Sequence, residues 1–332
     1  MRRVLLGFSG GVDSAVSAML LKEAGWQVSG LYLDNSDKAA LEFALASAES
    51  MKLPLEVCDV KAELEKKVCS AFAAAYLRGR TPNPCILCNP SVKFAKLLEA
   101  ADAAGAQFAA TGHYARVCEG KLYRGKPAND QSYMLCRLTP AQLSRCVFPL
   151  GEFEKSKVRE LAAGYGLASA GKPDSMEICF IPDKDYVGWL SRRAQLPPEG
   201  RLVFRGQTVG THRGIHCYTV GQRYPGLIEG EKVYVSRIDP EENTVELSRD
   251  AELMKTEFIA SSFNWQVMPD RIMENCSVRV RHTRKETPGC SAELLEDGKV
   301  KIYCTEPVRA PAPGQSAVLY RGDLVLGGGF IE

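Results

Sequence analysis

Two stretches of this chain hold residues whose types and spacing could do chemistry, one around Ser9 and one around Cys88. In the first, Gly7-Phe8-Ser9-Gly10-Gly11-Val12-Asp13-Ser14 follows the apolar run Val4-Leu5-Leu6. It precedes a segment with Val16, Met19 and Leu20 at helical spacing, closed by Gly25. A buried strand, a Ser/Gly turn and a helix N-terminus together make an anion cradle. Glycines let the backbone come close, the first helical N–H groups lack an intrahelical partner, and the helix dipole favours negative charge. The chemistry is phosphate binding. No lysine follows the glycines as in a Walker loop, and the G-x-G-x-x-G dinucleotide fingerprint is absent. In the second stretch, Cys85 and Cys88 form a C-x-x-C after Thr81-Pro82-Asn83-Pro84. The prolines predict an irregular, helix-free backbone. Lys93 and a helix starting near Ser91 predict a potential that favours thiolates. By itself the pair fits a redox couple, half a metal site, or coincidence. A further thiol, Cys179, lies between Ile178 and Phe180, flanks that suit an inert buried sulfur.

The elements that must position these groups are legible in outline. Strands at Val28–Leu33, Leu55–Val60 and Phe108–Thr111 alternate with helices at 38–52, 62–77 and 92–104, the first with Ala40, Leu41, Ala44, Leu45 and Ala48 on one face. This alternation predicts a doubly wound parallel α/β sheet, with ligands at the carboxyl ends of its strands. Asp34, Asn35 and Thr111-Gly112-His113-Tyr114 should therefore share an edge with the Ser9–Ser14 loop. From about Gly200 the segments shorten and alternate. Lys232–Ile238 and Thr244–Leu247 flank one turn, Ser277–Thr283 and Lys299–Cys304 alternate, and Asp297-Gly298 predicts a type I′ hairpin. Three blocks are expected: a catalytic domain over 1–195, a small β-rich module over 196–253, and a barrel-like module over 254–332. Arg279, Arg281, His282, Arg284 and Lys285 make a basic cluster, with Arg279 and Arg281 on one strand face, suited to phosphate contacts.

Ser9-Gly10-Gly11-Val12-Asp13-Ser14 resembles the pyrophosphate loop of the ATP pyrophosphatases. Over nearly its full length the chain resembles the tRNA-uridine 2-thiouridylases, the MnmA family. Besides that loop, the resemblance is carried by Thr81-Pro82-Asn83-Pro84, Cys88-Asn89, Lys93-Phe94, Thr111-Gly112-His113-Tyr114 and Asp130-Gln131-Ser132-Tyr133. Further on it is carried by Asp174-Ser175, Ile178-Cys179-Phe180-Ile181, Tyr218-Thr219-Val220-Gly221-Gln222-Arg223 and Pro313-Gly314-Gln315-Ser316-Ala317.

The resemblance implies an adenine-nucleotide α-hydrolase-like fold and ATP-dependent replacement of O2 of a tRNA wobble uridine by sulfur. It implies that ATP, with Mg²⁺, lies against Gly7–Ser14, with Leu33 and Gly112 at the adenine. The target base would lie near Asn83, Pro84 and Cys85, and the anticodon stem-loop would meet Asn129, Asp130, Gln131, His113 and Gln315. Cys179 would carry a persulfide and Cys88 would be the nucleophile that releases its sulfur, leaving a Cys88–Cys179 disulfide. Where this chain has Cys85, many relatives have Asp. Three thiols, Cys85, Cys88 and Cys179, could instead ligate three irons of a 4Fe–4S cluster whose fourth iron carries sulfide. The sulfur source would be a cysteine desulfurase, a sulfur-relay protein or free sulfide. Two other readings of the loop are an amide-forming adenylating enzyme and a non-catalytic nucleotide-binding protein.

Composition narrows the field. The chain has 332 residues, 45% hydrophobic and 25% charged, with a formal net charge of +2, so a nucleic-acid surface must be a local patch. No secretory apolar region follows Met1-Arg2-Arg3 and no run approaches a membrane span. A cytoplasmic protein with neither membrane nor DNA as partner is expected. Twelve cysteines in such a chain predict buried small hydrophobes with a few chemical exceptions, rather than a disulfide scaffold.

Overall fold

The computed structural model describes residues 2–126, 128–173, 178–282 and 285–332. Asp174-Ser175 of one motif and Arg284 of the basic cluster lie outside the described residues. The chain forms two compact units: residues 1–68, 85–180 and 323–325, and residues 69–84, 181–322 and 326–332.

The first unit is built on β1 (Arg3–Gly7), α1 (Val12–Glu23), β2 (Gln27–Asp34), α2 (Lys38–Ser50) and β3 (Leu55–Asp59). Next come α3 (Lys61–Leu64) and, in the second unit, α4 (Ser70–Leu77), joined by a π turn over Glu65–Cys69. The chain returns through α5 (Pro84–Cys88), a π turn over Asn89–Lys93, α6 (Phe94–Ala103) and β4 (Phe108–Ala110). It continues through the β5 (Ala115–Cys118) and β6 (Lys121–Arg124) hairpin, α7 (Ser132–Leu135), α8 (Pro140–Leu143), β7 (Cys146–Val147) and α9 (Lys155–Gly164).

The sheet order is β3-β2-β1-β4-β7, every pair parallel. Successive residues of β1 point to opposite faces. Val4 and Leu6 meet Ala15 and Ala18 of α1 and Ala48 of α2, while Leu5 meets Leu97 and Ala101 of α6. Burying each of these leucines contributes roughly 1.5–3 kcal/mol. Covering both faces makes the sheet doubly wound, as its pattern predicts. On α2 the buried face is Ala44, Ser47 and Ala48, whereas Leu45 is 43% exposed, so that part of the expected apolar face is turned to solvent.

The Pro-rich stretch departs from expectation. Pro84 is the first residue of a helix, where its fixed φ is tolerated and its missing N–H costs nothing. Pro90 lies within the π turn, which relieves the clash a proline would make in a regular α-helix. Cys85 and Cys88 therefore lie three apart on one helical turn and share a face.

The second unit holds α4, α10 (Tyr186–Ser191), a five-stranded sheet and a barrel. The sheet comprises β8 (Gly200–Phe204), β9 (Gln207–His212), β10 (Arg223–Ile228), β11 (Glu231–Asp239) and β12 (Thr244–Ser248). The barrel comprises β13 (Met254–Trp265), β14 (Ile272–Arg279), β15 (Thr287–Leu294), β16 (Val300–Arg309), β17 (Ser316–Arg321) and β18 (Leu324–Ile331). Pairing of β13 with both β16 and β18 closes it. The β15–β16 turn places Gly298 at φ 79° but leaves Asp297 outside the left-handed region, so it is not type I′. Segment 69–84 packs in this unit: Phe72 meets Trp189 with ring centres 5.6 Å apart, and Tyr76 meets Tyr186 at 4.9 Å. Gly79, at φ 65°, approaches Ile238 so closely that any Cβ there would collide with it.

Candidate functional site

The strand order reverses between β1 and β4, and the loops after these two strands form the site. After β1 comes the turn at Ser9–Gly11. Gly10 adopts φ 73°, and a Cβ there would lie 2.8 Å from the Ala44 backbone, so the position admits only glycine. Gly11 caps α1 without any side-chain hydrogen bond, which leaves the helix N-terminus to an outside acceptor. Ser14 is buried and donates to the Gly11 carbonyl at 3.0 Å, with the exposed Ser9 hydroxyl 3.4 Å from it. Phe8 and Val12 are core residues, 2% and 5% exposed, so they contribute backbone rather than side chain to the cradle. Gly7 ends β1, and Leu33 packs half-buried near the end of β2. After β4 comes Gly112, where a Cβ would sit 2.9 Å from the Asp13 carbonyl carbon; its smallness lets β4 abut the start of α1.

Asp13 anchors a network that sequence reading missed. Its carboxylate accepts from Lys155 Nζ at 2.7 Å to each oxygen and from the Tyr114 hydroxyl at 2.7 Å. Lys155 opens α9, far along the chain, and no spacing signal connects it to Asp13. The expected edge residue Asp34 is engaged by the Ser36 N–H at 2.8 Å and by Lys61 at 3.0 Å. Asn35 is better placed: its amide donates to the Cys179 carbonyl at 3.3 Å, tying that cysteine to the carboxyl end of β2.

The three thiols are electrostatically joined. Cys85 and Cys179 are exposed and Cys88 is half-buried. Burial pushes the Cys88 thiol up to about 11, the neighbouring Cys179 and Cys85 oppose its ionisation further, and Lys93 pulls the other way. Cys179 is also raised, by burial and then Cys85, against Lys93 and the Asn35 amide. The expected thiolate-favouring potential is thus outweighed, because desolvation exceeds the pull of Lys93. Among the described residues no group of three or more His, Cys, Asp or Glu side chains is spaced to hold a metal ion.

The expected RNA contacts divide. Asp130 is 8% exposed and its carboxylate takes the Gly125 N–H at 3.1 Å, the Ser132 N–H at 2.9 Å and the Ser132 hydroxyl at 3.0 Å. Gln131 accepts from the Tyr114 N–H at 3.0 Å. Both organise the loop behind Tyr114. Asn129 lies with its amide beside the Lys155 N–H, at the start of α9. His113 is joined to the Thr111 hydroxyl at 2.7 Å and lies against Phe94 and Phe148. Burial, then Lys93, holds it well below the ordinary histidine range, so it is neutral at pH 7. In the second unit, Gln315 donates to the Thr81 carbonyl at 2.7 Å, and the Thr81 and Thr219 hydroxyls lie 3.0 Å apart. Three separated motifs therefore meet just before Asn83, which is half-buried, and Pro84, which is buried.

The basic strand is not as its alternation predicts. β14 ends at Arg279, which is 5% exposed. Arg281 donates to the Val220 carbonyl at 2.6 Å and the Ala310 carbonyl at 3.4 Å. These arginines serve the module's interior, while His282 and Lys285 are exposed. Among the described residues no helix is long and apolar enough to cross a membrane.

Comparison with known proteins agrees with this architecture. Residues 2–183 match the family described as tRNA methyl transferase HUP domain, residues 198–249 the tRNA methyl transferase PRC-barrel domain, and residues 255–331 the aminomethyltransferase beta-barrel domain. The tRNA-specific 2-thiouridylase MnmA of Carboxydothermus hydrogenoformans is 40% identical over 359 residues, spanning 100% of this chain and 98% of that protein. Its namesake in Syntrophotalea carbinolica is 41% identical over 347 residues, spanning 99% and 98%. That of Salinibacter ruber is 41% identical over 360 residues, spanning 99% and 94%. With a glycine turn at the strand-order reversal and Lys93 acting on both Cys88 and Cys179, the chain belongs to the MnmA family of tRNA-specific 2-thiouridylases.

Proposed function

We propose that this enzyme uses ATP to replace O2 of a tRNA wobble uridine with sulfur, passing through an adenylated base. The observation that carries the proposal is the uncapped N-terminus of α1 at the Gly10-Gly11 turn, in the same unit as the Cys85, Cys88 and Cys179 thiols. A uracil carbonyl is a poor electrophile with no leaving group. Its oxygen attacks the α-phosphorus of ATP, pyrophosphate departs into the Gly7–Ser14 cradle, and C2 then carries an adenylate that can leave as AMP. Backbone N–H groups aimed at the departing charge lower that barrier. Magnesium bound with the nucleotide would draw on the oxygens of Asp13 and Ser9 and would offset phosphate charge.

Sulfur delivery follows by a Cys179 persulfide. Its terminal sulfur attacks C2 and AMP leaves. The Cys88 thiolate then attacks Cys179 Sγ, so the S–S bond breaks, the sulfur stays on C2 and a Cys88–Cys179 disulfide forms. An external dithiol reduces that disulfide. The raised Cys88 thiol would stay protonated, despite Lys93, until a bound substrate alters its surroundings. A desulfurase or relay protein would reload the exposed Cys179 thiol by handing over the outer sulfur of its own persulfide and keeping its thiol; free sulfide would instead attack Cys179 Sγ of the Cys88–Cys179 disulfide before any dithiol does, forming the persulfide and releasing the Cys88 thiolate. Residues 1–195 would do this chemistry, and 196–253 with 254–332 would grip the anticodon stem-loop. Cys85, His113, Asn129, Asp130 and Gln131 of the first unit would serve the RNA, as would Asn83, Pro84 and Gln315 of the second.

The test is thiolation of a synthetic anticodon stem-loop with ATP, a cysteine desulfurase with cysteine as the persulfide source, and dithiol, followed by nucleoside mass spectrometry. Cys88→Ser and Cys179→Ser should each lose 2-thiouridine while retaining nucleotide binding. Normal thiolation by Cys179→Ser would sink the mechanism. Cys85→Asp should stay active and free of iron and acid-labile sulfide after anaerobic purification; loss of both iron and activity would restore the cluster reading.

A further inference from the structure

While Arg279 and Arg281 serve the module's interior, a different set of arginines carries exposed positive charge in the second unit. Segments 69–84 and 206–228 hold Arg78, Arg80, Arg213 and Arg223 and no Asp or Glu, in a chain whose basic and acidic residues nearly balance at 42 and 40. All four are exposed, and none is paired with a described carboxylate. Other exposed arginines of this unit behave differently. Arg201 reaches Glu242 at 3.6 Å, Arg205 reaches Glu229 at 3.3 Å and Arg237 reaches Asp239 at 2.9 Å.

Folding brings the two acid-free segments together. Gly79 is buried against Ile215 and Ile238, while its neighbours Arg78 and Arg80 stay exposed. The Thr81 and Thr219 hydroxyls lie 3.0 Å apart, and the Thr219 N–H donates to the Gln222 side chain at 2.9 Å, beside Arg223. Arg213 stands two residues before Ile215. Burial raises the Cys217 thiol and the Tyr186 hydroxyl, and Arg213 is near enough to oppose it at both. Tyr186 in turn stacks on Tyr76 of α4. The backbone that carries the arginines is thus held from within, and their side chains are left to solvent.

Unpaired guanidiniums on one surface repel each other, so the patch costs stability until an outside polyanion covers it. A planar guanidinium matches a phosphate in bidentate fashion, and several of them across a folded surface suit the repeating charges of a nucleic-acid strand. We infer that Arg78, Arg80, Arg213 and Arg223 form the surface on which the second unit holds the phosphate backbone of a tRNA stem. The inference rests on the tRNA reading proposed above and names the residues that would do the gripping. Contacts of this kind orient the RNA and carry no base information. Recognition of the uridine is left to other residues.

The measurement is fluorescence anisotropy of the full chain with a labelled tRNA transcript across a salt series, beside thermal unfolding of each variant. Arg78→Gln/Arg80→Gln and Arg213→Gln/Arg223→Gln should unfold at the wild-type temperature, since neither breaks an ion pair. Each should lower the slope of log affinity against log salt by about 1.4–1.8, two phosphate contacts' worth. The control Arg201→Gln/Arg205→Gln removes the same charge from paired positions and should keep the wild-type slope. Wild-type slopes in both test variants would overturn the inference, as would an equal loss in the control. Unchanged tRNA binding with thiolation slowed only when a protein supplies the persulfide would give the surface to that protein instead. Failure of the wild type to bind the transcript at all would bring down the tRNA reading itself.

Discussion

Cys88 illustrates how a single residue's chemistry is set by its surroundings. Lys93 and a helix start near Ser91 suggest an ionised thiol, yet burial pushes Cys88 up to about 11. Lys93 favours the charged forms of both Cys88 and Cys179 by its own charge. Lys93→Met should therefore raise both thiols and leave less thiolate at a given pH. Alkylation of Cys88 by iodoacetamide at pH 8 should then slow several-fold, since a pKa higher by one leaves about a tenth of the thiolate. An unchanged alkylation rate would show that Lys93 does not govern these thiols. Gly10 is a second decisive residue. With φ 73° and a Cβ position 2.8 Å from the Ala44 backbone, Gly10→Ala should cost at least about 1–2 kcal/mol from the left-handed conformation alone. A shift in urea midpoint accompanied by lost nucleotide binding checks it.

Elements matter here through what they bring to one another. The helix α1 follows the glycine turn, α9 delivers Lys155 to Asp13, and the loop after β4 holds Gly112, small enough to abut Asp13. Gly112→Ala places a methyl 2.9 Å from the Asp13 carbonyl carbon, so α1 must move to accommodate it. The expected result is a rise in KM for ATP with little change in KM for the stem-loop; equal rises would mean that the displacement is not confined to the cradle. In the barrel, the alternation of Arg279 and Arg281 was legible but its meaning was not. β14 stops at Arg279, and the backbone beyond it turns Arg281 onto the carbonyls of Val220 and Ala310. Alternation reports two faces and says nothing of which face a neighbouring segment will cover.

At the scale of the whole molecule, acid sensitivity is built in. His113 is held neutral by burial and Lys93, and His216, 2% exposed, by burial and His212. The unfolded chain takes up these protons near pH 6.5, while the folded chain resists them. Stability is therefore fully present above about 6.5 and falls as the pH drops below it. The urea midpoint should decrease from pH 7.5 to 5.5, and His216→Gln should flatten part of that decrease. A midpoint that stays constant across this window would contradict the assignment. Exposed carboxylates such as Asp102, held low by Arg145, add a further loss only at more acid pH.

Much of the plan was local enough to read directly. The strand–turn–helix around Gly10, the parallel α/β order and the β-rich second half each depend on short-range periodicity and on residues with unusual backbone freedom. The family motifs marked Cys88 and Cys179 for the same reason. What remained hidden was long-range. Segment 69–84 follows the first strands in sequence but packs with Tyr186 and Trp189, because aromatic rings find partners by shape rather than by order. Desolvation of Cys88 depends on everything folded around it. Lys155 lies 142 positions from Asp13, and only the packing of α9 against α1 brings its ammonium to the loop. Sequence determined which groups could do the chemistry; tertiary structure decided their charge states and their partners, since both are set by distance and solvent exclusion.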